Sequence, residues 1–188
     1  MSDTSITHYL LFLIVIVFFL QVIIGKNFIE VFILNPAFLQ PWQIVSAIFL
    51  HGGIFHLMLN AYALYFFGQI LEYKVGQKIF LLIFFLSGIT GNLLYLSTFY
   101  LGIIPPIPAL GASGAIYGIM GALAVLTPNL TLLIFGIIPM RIKEAAVLWF
   151  ILEFLGSFDI SSGIGSAAHL GGLVTGYLIA KNLPVYKF

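Results

Sequence analysis

The stretch GASGAIYG, residues 111–118, places the hydroxyl of Ser113 between small residues, where a Pro-rich segment gives way to an apolar helix. A histidine, His169, opens the last apolar segment of the chain in AHLGGLVTG. A serine hydroxyl is a weak nucleophile until a neighbouring base removes its proton, and a neutral histidine can do this near neutral pH. Together the two residues could attack a carbonyl carbon, although either residue alone could serve only as a structural hydrogen-bonding group.

Two further polar residues, His56 and Asn60, lie four positions apart in HLMLN and therefore share one face of a helix. Their donors, together with the backbone N–H of Ser113, could stabilise the oxyanion that nucleophilic attack creates. Interhelical hydrogen bonding is the alternative use of such a pair in a membrane. Tyr117 follows Ser113 by one helical turn, and it could stack on the imidazole of His169 or serve as a core aromatic residue.

Small residues accompany both the serine and the histidine. Gly114 and Gly118 on the serine helix, and Gly172 and Gly176 on the histidine helix, form faces of two small residues spaced four apart. Such faces let helix backbones approach closely. That packing would bring the two helix starts together, and with them the serine and the histidine. Gly111 is expected to support the site by leaving the serine hydroxyl closely approachable.

No obvious carboxylate accompanies the serine and the histidine in the sequence. Glu153, near the outer end of the fifth apolar segment, could reach His169, but an interfacial or loop-anchoring role fits its position better. The pattern therefore favours a dyad of Ser113 and His169 over a triad. His51 lies five residues before His56 and projects about 140° away from it on a continued helix, so we expect His51 to support the preceding loop rather than the site.

The composition indicates an integral membrane protein in contact with a lipid bilayer. Of the 188 residues, 62% are hydrophobic and 7% are charged, and the mean hydropathy is +1.17. A soluble domain of this size would expose large apolar patches. The net charge of +1 offers no basic surface for nucleic acid. Without cysteine the chain has no disulfide, thiolate metal site or cysteine nucleophile, and we expect no metal and no cofactor.

Six apolar runs are long enough to cross, or nearly cross, a hydrocarbon core of about 30 Å. They are Tyr9–Ile24, Ile54–Leu71, Ile79–Tyr100, Ser113–Leu126, Ala145–Leu155 and Ala167–Ala180. In a six-helix arrangement every Lys and Arg except Lys26 falls on one side, so the positive-inside rule predicts that both termini are cytoplasmic. The expected fold is an all-α, multi-pass bundle in which residues 1–188 form a single transmembrane domain.

The depth of the polar residues connects this topology with the chemistry. At a rise of about 1.5 Å per residue, Ser113, His169, His56 and Asn60 converge roughly 6 to 12 Å beneath the external face of the bilayer. The stretch IIPPIPALGAS, residues 103–113, contains three prolines that cannot continue a helix. We expect it to descend from the external side as a loop that water could follow to the serine.

The order of three motifs, HGGIFHLMLN, GASGAIYG and AHLGGLVTG, resembles the rhomboid family of intramembrane serine proteases. The resemblance covers most of the chain from Trp42 onward. It implies a six-helix rhomboid-like bundle and a set of roles for named residues. The implied roles are nucleophile for Ser113, general base for His169, oxyanion donors for His56 and Asn60, and a place beside the histidine for Tyr117.

The first loop, residues 25–53, is expected to lie partly in the outer membrane interface with Trp42 as an anchor. The family resemblance implies the same placement. The Trp-Arg pair of the family appears in this loop as Trp42-Gln43, a departure that concerns the contacts of the loop rather than the chemistry. EYKVG, residues 72–76, resembles a structural motif of the family.

The expected function is that of an endopeptidase that cleaves transmembrane segments of other membrane proteins near their external ends. Its substrates should contain helix-destabilising residues, because an intact helix shields its own peptide bonds. The lateral route to the site is expected near the fifth helix. The Gly- and Ser-rich segment GSFDISSGIGSA, residues 156–167, could cap the site as a lid. A prokaryotic plasma membrane is the expected location.

Other classes of protein fit the sequence less well. The chief alternative is a rhomboid-like protein that binds membrane helices without cutting them, and such a protein needs neither Ser113 nor His169. A transporter would need charged groups through the span, where the chain has almost none. A metalloprotease is disfavoured because HGGIFH is not the H-E-x-x-H pattern. An aspartyl intramembrane protease would need two aspartates within the membrane.

Overall fold

The computed structural model describes residues 5–134, 137–157 and 165–184, and most of these residues are helical. The elements in chain order are α1 Ile6–Ile24, α2 Lys26–Phe32, α3 Gln43–Ser46, a 3₁₀ turn Ala47–Phe49, α4 Ile54–Tyr100, α5 Ser113–Leu126, β1 Thr131–Ile134, β2 Ile138–Arg141, α6 Ile142–Gly156 and α7 Ser166–Lys181. Helices cover all six apolar runs that the sequence predicts. The expected lid falls largely on residues 158–164, which lie outside the described residues.

The longest helix, α4, carries two of the predicted runs and bends sharply between them. Gly76 has φ 77° and ψ 164°, a conformation that residues with a Cβ rarely adopt, and it separates α4 into two helical segments. The helices α1 and α4 are long and apolar enough to cross a membrane, with mean hydropathies of 2.5 and 2.1, and α5 is a shorter apolar helix. Six crossings and cytoplasmic termini therefore stay predictions.

A buried carboxylate attaches the start of α1 to the first segment of α4. Glu72 accepts hydrogen bonds from the hydroxyls of Ser5 and Thr7, at 2.6 and 2.7 Å, and from the backbone N–H groups of Ile6 and Thr7, at 2.7 and 2.9 Å. The first N–H groups of a helix have no partner within the helix, and the helix dipole also stabilises a negative charge at this end. Glu72 therefore both caps α1 and sets its position.

The first loop is folded onto itself by polar side chains. The indole of Trp42, which is half exposed, donates to the carbonyl of Val31 at 2.9 Å. The neighbouring Gln43 is buried, and its Oε1 accepts from the backbone N–H groups of Asn35 and Gln40, both at 3.2 Å. A neutral amide at position 43 thus pairs with backbone groups of the loop itself.

The centre of the bundle is α5, which packs between α4 and α7. Ten of its fourteen residues are buried. The contact with α7 is made by backbone atoms: a Cβ added at Gly172 would collide with the carbonyl oxygen of Gly114, and one added at Gly176 would collide with that of Gly118. The two helices can approach this closely only because these positions lack side chains.

One element departs from the all-α expectation. Between α5 and α6 the chain forms a short antiparallel hairpin in which β1 pairs with β2, Thr131 opposite Arg141 and Ile134 opposite Ile138. The backbone N–H of Ile142 then donates to the carbonyl of Leu130 at 2.8 Å as α6 begins. A search for membrane-length apolar runs cannot detect strands of four residues, because strand pairing of this length depends on the turn rather than on hydropathy.

We expect Gly176→Ala to destabilise the protein, because the new methyl group would overlap the carbonyl oxygen of Gly118 on the facing helix. Overpacking of this kind costs about 1–3 kcal/mol, and more where backbone must move. Gly165→Ala is the matched control, since among the described residues its methyl group would meet only the Cβ of Ala168, at 3.9 Å. Thermal unfolding in detergent should show a lower Tm for the first variant alone. Equal Tm values would contradict the backbone contact.

Candidate active site

Ser113 is the first residue of α5 and follows a loop that other backbone groups hold in place. The Pro-rich stretch is irregular, and it is paired with the first loop where Leu34 and Ala109 exchange backbone hydrogen bonds of 3.0 and 2.9 Å. The N–H of Gly111 then donates to the carbonyl of Ala47 at 2.9 Å. Gly111 has φ 128°, which favours glycine. The serine thus lies at a helix N-terminus, where backbone N–H groups lack helical partners.

His169 lies in the first turn of α7 and faces the serine. Its Nε2 is 2.6 Å from Oγ of Ser113, which is a short hydrogen bond. Its Nδ1 is 3.0 Å from Oε1 of Glu153. An ionised carboxylate can only accept, so a hydrogen bond at this distance requires the Nδ1-protonated tautomer, in which Nε2 can accept the serine proton. The pair has the geometry of a nucleophile with its general base.

Tyr117 contacts the other face of this arrangement. Its ring stacks on the imidazole of His169 with the centroids 4.4 Å apart and the planes 4° apart. Its hydroxyl donates to Oε1 of Glu153 at 2.6 Å. The sequence allowed Tyr117 either to stack on His169 or to serve as a core aromatic residue, and in the structure its ring lies beside the histidine. The stacking restricts rotation of the imidazole, and the hydroxyl adds a second restraint through the carboxylate.

Glu153 corrects the interpretation made from the sequence. An interfacial or loop-anchoring role was expected, and a dyad without a carboxylate was preferred. The structure instead buries Glu153, with a relative exposure of 9%, and places it against His169 and Tyr117. A sequence signal for this contact does exist: an acidic residue inside the apolar run AAVLWFILEFL is costly in a membrane unless it has a partner. The sequence could not identify that partner.

His56 is oriented by the loop that precedes α4. The N–H of Gly52 donates to Nδ1 of His56 at 3.3 Å, so the ring proton is on Nε2. The ring lies against Gly111, where an added Cβ would be 2.8 Å from Cε1 of His56. Asn60 is buried, and its Nδ2 donates to the carbonyl of His56 at 2.9 Å, within its own helix. One N–H of that amide is thus used by α4, and the second is available.

The backbone of His51 supports the loop before α4, whereas its ring lies beside that of His56 rather than pointing away from it as the sequence suggested. Its backbone N–H donates to Oε1 of Gln21, and its carbonyl accepts from Nε2 of the same side chain, at 2.9 and 3.1 Å. The ring lies edge-on to that of His56, with the centroids 5.2 Å apart. Burial, and then the neighbouring His56, lower the pKa of His51 to about 4. The imidazole of His51 is therefore neutral at physiological pH.

The four predicted polar residues lie around one cavity. Its volume is about 500 Å³, and its lining includes Ser113, His169, His56 and Asn60. The lining also includes the Pro-rich loop and the starts of α5 and α7. Within the described ranges no group of three or more His, Cys, Asp or Glu residues could hold a metal ion. The cavity therefore exposes a serine that is hydrogen-bonded to a histidine.

Comparison with known proteins assigns the chain to a family. Residues 39–184 match the Rhomboid domain. The chain belongs to the rhomboid family. The matched range contains Ser113, His169, His56 and Asn60, and it contains the whole cavity lining. This rhomboid therefore carries its candidate site within the part of the chain that defines the family.

Individual relatives include both proteases and an inactive protein. The chain is 35% identical over 147 residues to the rhomboid protease GluP of Bacillus subtilis (strain 168), covering 78% of this chain and 27% of that protein. It is 36% identical over 147 residues to Rhomboid-like protease 3 of Toxoplasma gondii, covering 75% and 52%. It is 31% identical over 139 residues to Inactive RHOMBOID-like protein 8 of Arabidopsis thaliana, covering 72% and 36%. This rhomboid thus spans from about a quarter to about half of these relatives.

We expect Ser113 to react with a fluorophosphonate probe, because His169 can accept its proton as the bond to phosphorus forms. Ser113→Ala should give no labelling, and His169→Ala should label about 10² to 10⁴ times more slowly, the usual contribution of a general base. Ser97→Ala is the matched control, since that exposed hydroxyl donates to the carbonyl of Leu94 within its own helix. Mass spectrometry of the labelled peptide locates the adduct. An adduct on a residue other than Ser113 would contradict this assignment.

Proposed function

We propose that this rhomboid is an intramembrane serine endopeptidase that cleaves transmembrane segments of membrane proteins near their external ends. The observation that supports this most directly is the 2.6 Å contact between Oγ of Ser113 and Nε2 of His169 in a cavity lined by apolar helices and a loop. In the proposed topology α1, the two segments of α4, α5, α6 and α7 cross the membrane, and both termini are cytoplasmic.

The proposed reaction follows from the two ring nitrogens of His169. Oγ of Ser113 attacks the carbonyl carbon of the peptide bond while Nε2 takes its proton. The tetrahedral intermediate then collapses, and Nε2 gives that proton to the departing amine. The acyl group stays on Ser113 until water, activated by the same nitrogen, hydrolyses the ester. No metal or cofactor takes part in this scheme.

The oxyanion of the intermediate requires donors on the side of the cavity opposite the histidine. The Nε2–H of His56 and the backbone N–H of Ser113 are the proposed donors, and the free N–H of the Asn60 amide is the third. Each donor is held by a backbone group. The His56 ring is held by the N–H of Gly52, the N–H of Ser113 belongs to the start of α5, and the Asn60 amide is held by its other N–H, which donates within α4. Donors fixed in this way stabilise developing charge without reorganising.

The substrates are proposed to be transmembrane proteins whose spans contain helix-destabilising residues near the cut. A peptide bond inside an intact helix cannot lie extended against Ser113, and freeing its backbone groups in a bilayer costs several kcal/mol each. The lateral route is proposed to pass α6, whose outer half presents mostly exposed apolar residues to the surroundings.

A non-catalytic protein that binds membrane helices is the alternative, and the family does contain a relative named inactive. A protein that only binds helices does not need a base placed to accept the proton of a serine hydroxyl. The short Ser113–His169 contact, with its tautomer set by Glu153, therefore favours the protease.

Cleavage of a model membrane protein tests the proposal. Two substrates are compared in liposomes, one with Gly and Pro placed to the cytoplasmic side of the cut and one with an unbroken Leu span. Wild type should cleave the first and spare the second, with the cut in the outer third of the span. Ser113→Ala and His169→Ala should abolish cleavage of the first substrate while the proteins stay folded, because the hydroxyl makes the attack and the imidazole takes its proton. Undiminished turnover in either variant would overturn the proposal.

Removal of the oxyanion donors should slow cleavage without abolishing it. Asn60→Ala and His56→Ala should each lower kcat by about 10² to 10³, since one such donor is typically worth that factor and others remain. The two variants are measured with substrate in excess, so that kcat is separated from binding. A matched control is Asn182→Ala, because the amide of Asn182 is exposed and donates to the carbonyl of Leu178 at the far end of α7. Unchanged kcat in both site variants would mean that these residues serve only helix packing.

A further inference from the structure

The outer half of α6 is attached to the rest of the protein in an unusual way. Along residues 147–156 the one buried residue is Glu153, while the others are exposed or half-buried. Leu152 and Phe154, the residues on either side of it, are 53% and 48% exposed. In most helices the buried face is apolar, so a carboxylate in this position requires its own explanation.

The carboxylate of Glu153 is surrounded by donors from two other helices. Tyr117 of α5 donates its hydroxyl to Oε1 at 2.6 Å, and Nδ1 of His169 on α7 is 3.0 Å from the same oxygen. The hydroxyl of Ser166, also on α7 and 4% exposed, is a third hydrogen-bond partner. A buried carboxylate needs such donors, because an unpaired charge away from water is strongly unfavourable.

We propose that Glu153 is a positioning residue that completes a Ser113–His169–Glu153 arrangement. The orientation of the His169 imidazole then depends on how α6 packs against α5 and α7. This inference rests on the proposed protease function. Two of the three members come from α5 and α7, which are packed backbone to backbone, and the third comes from the sparsely buried α6. When the outer half of α6 moves away from α5 and α7, the acceptor of the Nδ1 proton leaves with it.

Two physical effects follow from the position of the carboxylate. It keeps the proton on Nδ1, so that Nε2 accepts from Ser113, and it stabilises the imidazolium that forms during attack. Tyr117 reinforces the first effect, since its hydroxyl binds Oε1 while its ring covers the imidazole. A role in packing alone would be served better by an apolar side chain, because a buried ionic contact is seldom more stabilising than an apolar one of similar volume.

The groups that face His169 determine the expected pH dependence. They are Glu153 from α6, Tyr117 from α5 and His56 from α4. Of these, only Glu153 carries a negative charge at neutral pH and favours the protonated imidazole. Replacing it with a neutral amide removes that charge from the surroundings of the imidazole. The acidic limb of the profile of kcat/KM against pH should then differ from that of wild type.

Glu153→Gln is the decisive variant. Its kcat should fall by about 10² to 10⁴, because an amide at this position no longer holds the histidine in the tautomer that accepts the serine proton, with KM little changed. Glu153→Asp should recover part of the rate and return the acidic limb toward that of wild type. Glu144→Gln is the matched control, since Glu144 lies on the same helix, is half exposed and pairs with Arg141 at 3.0 Å. That variant should keep the wild-type rate and profile.

A spectroscopic measurement on the wild-type protein tests the proposal without a variant. ¹⁵N NMR of labelled imidazoles should show His169 as the Nδ1-protonated tautomer, assigned by loss of its signals in His169→Ala. In Glu153→Gln the signals should show a mixture of tautomers or the reverse one. Should Glu153→Gln fail to fold, the tautomer of His169 measured in the wild-type protein is a sufficient test. An Nε2-protonated His169 would overturn the inference.

The outcomes separate this inference from the proposed function. Wild-type kcat, pH profile and tautomer in Glu153→Gln, together with an inactive Ser113→Ala, would overturn the role of Glu153 and leave the protease proposal standing. Continued cleavage by Ser113→Ala would overturn the protease proposal itself, while the tautomer of His169 would still report whether Glu153 holds its proton.

Discussion

The candidate site depends on the distance between the backbones of α5 and α7. Gly172 and Gly176 meet the carbonyl oxygens of Gly114 and Gly118, with no room for a methyl group between them. The serine and the histidine lie in the first turns of these two helices, so the helix separation sets the distance between them. A shift of about 1 Å in such a contact can cost about 10²-fold in rate. The pairing of hydroxyl and imidazole is thus a consequence of backbone packing.

Polar side chains fix the remaining elements around this pair. In a chain so apolar each buried polar group needs a partner, because the surroundings offer few others. Glu72 therefore holds the start of α1, and Gln21 holds the backbone of His51. Asn92 of α4 donates to the carbonyl of Ile44 at 2.8 Å and Tyr95 donates to that of Ile107 at 2.9 Å. These bonds place both loops that border the cavity.

The two sides of the site are held by different kinds of force. On one side α5 and α7 make continuous close contact, and the many van der Waals interactions there are strong together and do not depend on the orientation of particular groups. On the other side the outer half of α6 contacts the other helices through Glu153 and through Trp149, whose ring lies edge-on to that of Tyr117, while most of its other apolar residues are exposed. Moving an apolar helix from protein to lipid has little hydrophobic cost, since lipid tails are equally apolar. The hydrogen bonds of one carboxylate therefore act together with the packing of Trp149 to keep this part of α6 in place.

The sequence by itself determined the helical runs, the family resemblance and the group of polar residues around the cavity. Each of these depends on local features: hydropathy over a span, residue spacing on one helix face, and glycines where backbones meet. The buried contacts of Glu153 with His169 and Tyr117 were not predicted, and neither was the hairpin after α5. The rotation of α6 about its axis decides whether Glu153 faces lipid or His169, and that rotation is set by contacts with α5 and α7. Only the tertiary structure contains those contacts, because they join residues 16 and 36 positions apart.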